Sequence, residues 1–313
     1  IRLSLVGSEM CIRDSYLIIN LSMASNFLKE SRLLVLNKIK STITDNTTIA
    51  KAMCYSALAE SKMIRAGLVF AFGKNNKQLS NQSLLNLATS IELMHTYSLI
   101  HDDLPAMDND YWRRGQKTNH IEYGEDFAIL AGDALHSLSY ELIAFDNDLD
   151  AEEKINAIQS LSSSCGFQGM VLGQELDIHS ETNKIDENFV EKMHYLKTGK
   201  LIETAVSFGF LGEKIDSQTQ KNIFNFAKNI GHGFQIKDDF LDIFGSEDQI
   251  GKSLHSDKKN NKKNYIHLLG KRKTEEKLVK YHENALKNLR QIDSYENNPE
   301  IYALTDFIFK REK

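Results

Sequence analysis

Two prolines, Pro105 and Pro299, occur in 313 residues, where ordinary usage near 5% would supply about 15. Proline removes a backbone donor and clashes with the preceding helical turn, so a chain that nearly excludes it can run long uninterrupted helices. All-β architectures need many turns and are disfavoured by the same count. Strand-like β-branched alternation is also scarce. The expected class is all-α.

Apolar periodicity agrees. Leu84, Leu87, Ala88, Ile91 and Met94 recur at helical spacing and form one face of a helix running toward His95 and His101. Ser80 or Asn81 is placed to cap its start. Ile223, Phe226, Ala227, Ile230 and Phe234 repeat the pattern later. Polar breaks at 73–80, 146–152, 180–187 and 212–219 read as short loops, with no linker long enough to separate domains. The polar stretch 257–264 reads as a further loop.

Apolar residues make up 41% and charged residues 26%, enough for a sizeable core and too apolar for disorder. No apolar run approaches the roughly 18 residues of a membrane-spanning helix. A net charge of −5 argues against general affinity for nucleic acid or anionic membrane. Cys11, Cys54 and Cys165 give neither a disulfide framework nor a zinc pattern. A cytoplasmic protein is expected, with no nucleic-acid partner and no integral membrane segment. Residues 1–15 differ in character, are too short in apolar run for a signal peptide, and resemble translated sequencing-adapter read-through. They are expected to be a non-native scar on a single domain spanning 16–313, with helical pattern from about Asn26.

The chemistry concentrates in two aspartate clusters. Asp102, Asp103 and Asp108 stand around Pro105 and are followed by Arg113 and Arg114. Pro105 should break the helix and let Asp108 swing back toward Asp102. In the second cluster, Gln235, Asp238, Asp239 and Asp242 share one helical face that continues an apolar stripe. Carboxylates gathered there repel and lose hydration, an arrangement that persists only with compensating cations. All-oxygen ligands suit Mg²⁺, which substrate phosphates commonly complete, and guanidinium groups suit phosphate oxygens. A diphosphate site is the expectation.

At these residues the chain resembles the trans-isoprenyl diphosphate synthases, most closely the bacterial farnesyl diphosphate synthase branch, from about residue 25 to the C-terminus. His95-Thr-Tyr-Ser-Leu-Ile-His-Asp-Asp-Leu-Pro-Ala-Met-Asp108 is similar to the first aspartate-rich motif, with the two-residue Pro105-Ala106 insertion. Phe234-Gln-Ile-Lys-Asp-Asp-Phe-Leu-Asp242 is similar to the second. Gly169-Met-Val-Leu-Gly-Gln174-Glu-Leu-Asp177 and Leu196-Lys-Thr-Gly199 match two further signatures.

The resemblance implies a helical bundle around a central cavity, normally a homodimer. It implies three Mg²⁺ ions bridging Asp102, Asp108 and Asp238 to an allylic diphosphate, dimethylallyl or geranyl, with Asp103, Asp239 and Asp242 ligating directly or through water. Arg113, Lys197, Thr198, Gln235, Lys252 and Lys262 would hold that diphosphate. Isopentenyl diphosphate would use Lys62, Arg65, His95 and Arg114. Gln174 and Asp177 would stand behind the binding residues. Tyr97, five positions before Asp102, would floor the growing chain and favour farnesyl diphosphate.

The match departs at the isopentenyl-binding stretch. Where the family reads Gly-Gly-Lys-Arg-x-Arg-Pro, this chain has Glu60-Ser61-Lys62-Met63-Ile64-Arg65-Ala66. Glu60 brings negative charge where a diphosphate should approach, so weaker isopentenyl diphosphate binding is expected. Two other readings stay open here: a class I terpene cyclase, against which Asp238, Asp239 and Asp242 speak, and a non-catalytic subunit of a heteromeric synthase, which would be expected to lose aspartates.

Overall fold

The computed structural model describes residues 2–244, 264–292 and 298–311, with side chains from residue 18 onward. Lys252 and Lys262 lie outside the described residues. Helices α1 (Arg2–Thr42), α2 (Thr48–Ala57), α3 (Ile64–Gly73) and α4 (Asn81–Asp102) lead into a two-stranded hairpin, β1 (Trp112–Arg113) and β2 (Gln116–Lys117). There follow α5 (Asn119–Tyr123), α6 (Glu125–Ala144), α7 (Ala151–Cys165), α8 (Met170–Thr182) and α9 (Glu187–His194). A π-helical turn over Tyr195–Gly199 joins α9 to α10 (Lys200–Gly209), and α11 (Ser217–Phe244) follows. The described chain closes with α12 (Tyr265–Leu269), α13 (Lys271–Leu289) and α14 (Pro299–Lys310). The all-α expectation holds, with the hairpin the sole sheet among the described residues.

Both prolines sit at helix boundaries. Pro299 opens α14 behind the Asn298 cap, whose side chain accepts from Ile301 N–H; there its missing donor costs nothing. Pro105 follows the end of α4. Ser80 caps that helix by accepting from Ser83 N–H at 3.0 Å, and Leu87, Ala88, Ile91 and Met94 are fully buried. The centre of the bundle is α4, packed against α3, α6 and α10, while α11 packs on α13 and α1 on α14.

Helix α1 begins well before residue 26, and residues 2–15 continue its backbone. The buried position at Asn20 is polar, which interrupts the apolar stripe that sequence periodicity follows. Its side chain donates to Asp306 at 2.8 Å, and Asp306 also receives His282 at 3.0 Å and Lys310 at 3.1 Å. One carboxylate thus staples α1, α13 and α14 together. Burial alone would raise the pKa of Asp306, but the bonds from His282, Asn20 and Lys310 outweigh it and bring it to about 2. A depressed carboxylate stabilises the fold above its unfolded pKa and loses that contribution as pH falls through the folded one. Asp306→Ala should therefore cost about 1–2 kcal/mol at neutral pH, and the difference from the unmutated protein should shrink as denaturant melts are taken down through pH 3.8 toward 2.

Candidate active site

The first aspartate cluster is made by the way α4 stops. Asp102 is its last residue, and the chain folds back so that the Asp108 N–H donates to the Asp102 carbonyl at 2.8 Å. Met107 and Asn109 N–H groups both reach the Leu104 carbonyl, at 2.9 and 3.1 Å, with Asn109 in a left-handed conformation. The break at Pro105 does what the spacing predicts. The arginine pair, however, rides on the hairpin: Arg114 and Gly115 occupy its two central positions, at φ of 55° and 77°, as a two-residue primed turn requires. Tyr55 of α2 anchors this hairpin by donating to the Lys117 carbonyl at 2.9 Å.

Arg113 turns its guanidinium inward. Nε and Nη2 each lie 2.6 Å from Asp103 Oδ1, and Nη2 reaches Asp110 at 3.4 Å. Asp103 is 3% exposed. Burial raises its carboxyl to about 6; the Arg113 charge and hydrogen bond oppose this, while Asp110 and Asp102 push the same way as burial. The residue expected to grip phosphate is therefore also the cation that keeps the acid cluster together.

The second cluster lies on α11. Asp239 and Asp242 are buried, while the Asp238 side chain is 43% exposed and ion-paired with Arg311 just beyond α14. The π turn presents Lys197 and Thr198 to this face. The Thr198 hydroxyl donates to Gln235 Oε1 at 2.8 Å, and Gln235 Nε2 donates to Asp239 at 3.3 Å. Lys197 donates to Asp177 of α8 at 2.6 Å. Gly173 makes this junction possible: a Cβ there would meet the Lys197 backbone nitrogen at 2.2 Å.

Between the clusters lies a cationic centre. Arg65 is buried near the start of α3, with its guanidinium over the Phe234 ring at 5.6 Å, and Arg311 covers the same ring at 4.3 Å. Arg65 interacts electrostatically with Glu92, Asp238 and Arg311. Arg114 interacts with Glu92, Arg113, Arg65 and Asp103. Burial first, then the charges of Arg65, Arg114 and Arg113, hold His95 well below its ordinary range, so it is neutral at pH 7. Lys62, three positions before Arg65, is exposed.

Three participants were absent from the sequence reading. Glu92 is buried and accepts the Ala66 N–H at 2.9 Å, a donor that the family's proline at this position would lack. An acid inside an apolar stripe was the available signal. Arg311 gave none, being far along the chain from Asp238. The third is Arg32 of α1, which pairs with Glu60 at 3.0 Å and so offsets the charge that the altered motif introduces.

Asp102 borders a cavity of about 320 Å³ whose walls include Tyr97, Met107, Met170, Gln174 and Ile178. Gln174 adjoins Gly173, which touches the Lys197 backbone, and Thr198 leads through Gln235 to Asp239. These contacts run from the wall of the cavity that Asp102 borders to the second acid cluster. Among the described residues no three His, Cys, Asp or Glu side chains converge to hold a metal unaided. Oxygen donors present in ones and twos fit Mg²⁺, whose shell is ordinarily completed by water and substrate phosphates.

Two acid clusters with buried arginines between them, inside a helical bundle, define a diphosphate-handling enzyme of the prenyltransferase class. The family model described as polyprenyl synthetase matches residues 46–301, and the chain belongs to that family. It is 39% identical over 269 residues to the farnesyl diphosphate synthase of Haemophilus influenzae, covering 85% of this chain and 90% of that protein. The crystal structure of a geranyltransferase from Legionella pneumophila superposes with a TM-score of 0.80 at 28% identity, covering 95% of this chain and 98% of the other. That of a Helicobacter pylori geranyltransferase, complexed with magnesium and isoprenyl diphosphate, gives 0.78 at 30% identity, covering 93% and 98%.

Gly173→Ala must move the α8–π-turn junction. It should cost about 1–3 kcal/mol and displace Lys197, read as a lower melting temperature together with a raised KM for the allylic substrate.

Proposed function

We propose that this prenyltransferase condenses isopentenyl diphosphate with dimethylallyl or geranyl diphosphate to give farnesyl diphosphate, dependent on Mg²⁺. The observation that carries the reading is the pair of acid clusters, each with a resident arginine, the first bordering a cavity with an apolar wall through Asp102. Asp102, Asp103 and Asp108 on one side, and Asp238, Asp239 and Asp242 on the other, would hold three Mg²⁺ ions shared with the allylic diphosphate. When bound, the metal neutralises that diphosphate and favours its departure. Arg113, Lys197, Thr198 and Gln235 add positive charge and donors from the protein, with Lys252 and Lys262 proposed for the same group.

Lys62, Arg65, His95 and Arg114 would receive isopentenyl diphosphate. Glu92 and Arg32 support this reading, since the one sits among the buried cations and the other engages Glu60. Ionisation of the allylic C–O bond leaves a carbocation that Met107, Met170 and Ile178 shelter from water. The isopentenyl double bond attacks it, and the proton then lost goes to the released diphosphate, so no protein base is needed. The mixed acid and base character of this centre, with Arg65 and Arg114 intact, favours condensation over cyclisation. A homodimer belongs to the same proposal: Ile121, Ile129 and Leu130 on α5 and α6 are exposed apolar side chains that a second copy would cover.

Incubation with labelled isopentenyl diphosphate, geranyl diphosphate and Mg²⁺ tests the reading. Farnesyl diphosphate supports it; a cyclic hydrocarbon, or no product from well-folded protein, contradicts it. Asp102→Asn and Asp238→Asn should each lower kcat by about 10²–10³ with little change in melting temperature. Tyr97→Ala should shift the product to a longer chain, read by product chromatography.

A further inference from the structure

The rings behind Tyr97 form a second layer that the reaction described above does not use. Tyr97 meets His136 of α6 edge to face, with centroids 4.9 Å apart, and His101 at 5.1 Å. His136 meets Tyr140 at 5.3 Å, and the Tyr140 hydroxyl lies 3.0 Å from Cys165 Sγ at the end of α7. Gly132, His136 and Tyr140 are spaced by four and share one face of α6. Gly132 admits the His101 ring, since a Cβ there would come within 2.2 Å of its Nε2. Tyr97 and His101 both border the cavity below Asp102, whereas His136 and Tyr140 do not. The imidazole of His136 thus meets the Tyr97 ring without itself lining the cavity.

We propose that His136 sets product length by holding the Tyr97 ring against the cavity, as the second layer of a floor that Tyr140 and Cys165 close from behind. The proposal rests on the prenyl-elongation reading of this cavity and adds to it a positioning residue outside the motifs. A floor one ring thick can tilt when its backing is removed, because a half-buried tyrosine rotates readily into an adjoining void. A floor with a second ring behind it cannot tilt without displacing that ring. Space for even part of an extra isoprene unit matters, since a single methylene in an apolar pocket changes selectivity about 10–200-fold.

The experiment uses the full chain with dimethylallyl or geranyl diphosphate, labelled isopentenyl diphosphate and Mg²⁺, and reads the ratio of products. Farnesyl diphosphate from the unmutated protein is the control; its absence overturns the elongation reading and this proposal with it. Given that control, His136→Ala should raise the ratio of the next longer product to farnesyl diphosphate by roughly tenfold. His136→Phe, which keeps a ring, should hold the original ratio. His136→Trp should press Tyr97 into the cavity and accumulate geranyl diphosphate from the dimethylallyl primer, which keeps the proposal testable should the alanine variant fail to fold. A merely structural role would lower kcat in these variants without changing the ratio. If Tyr97→Ala lengthens the product while the Ala and Trp variants at His136 leave the distribution unchanged, the second layer has no part in chain length.

Discussion

Carboxylates gathered at the ends of two helices repel one another, and burial makes Asp103 harder to ionise. The fold supplies cations to this region from elsewhere in the chain. Asp103 receives Arg113 from the hairpin, Asp238 receives Arg311 from beyond the last helix, and Asp177 receives Lys197 from the π turn. The three pairs draw six separate elements together, so the charge distribution of the site is also part of what fixes the bundle. On the proposed function, an incoming metal–diphosphate complex would enter a region already built for alternating charge, with little reorganisation left to do, which is the condition under which fixed charges stabilise a departing anion best.

Much of this was legible in the sequence. The stripes ending at His101 and Phe234 are helices with buried apolar faces, and Pro105 ends α4 so that Asp108 returns to Asp102. What could not be read is instructive. The arginine pair sits on a tight hairpin whose central residues are Arg114 and Gly115, not the Asn-Gly or Asp-Gly that signals such a turn. Met63 likewise takes a left-handed conformation at the start of α3, held by its burial and not by its intrinsic preference. Arg311 meets Asp238 only because α14 packs on α11, and no local pattern encodes that contact. Asn20 hid the early part of α1 because a buried polar residue, satisfied by Asp306, breaks the apolar count.

The altered stretch around Lys62 and Arg65, proposed to receive isopentenyl diphosphate, gains a physical account. Its glycine pair has become Glu60-Ser61, which would repel a diphosphate if left alone. Arg32 engages Glu60, and Glu92 takes up the N–H that Ala66 has in place of proline. Two changes away from the family pattern are thus each met by a residue on a different helix. The surrounding Arg65, Arg114 and neutral His95 remain, leaving two buried guanidinium groups between the acid clusters.

The central claim is that the two clusters act together, through metal shared with a diphosphate. Calorimetric titration of Mg²⁺ in the presence and absence of a non-reactive thiolo analogue of geranyl diphosphate tests it most directly. The account predicts weak metal binding to the protein alone, marked tightening with the analogue, and loss of that tightening in either Asp102→Asn or Asp238→Asn. Tight Mg²⁺ binding without the analogue, or tightening that survives removal of one cluster, would contradict it.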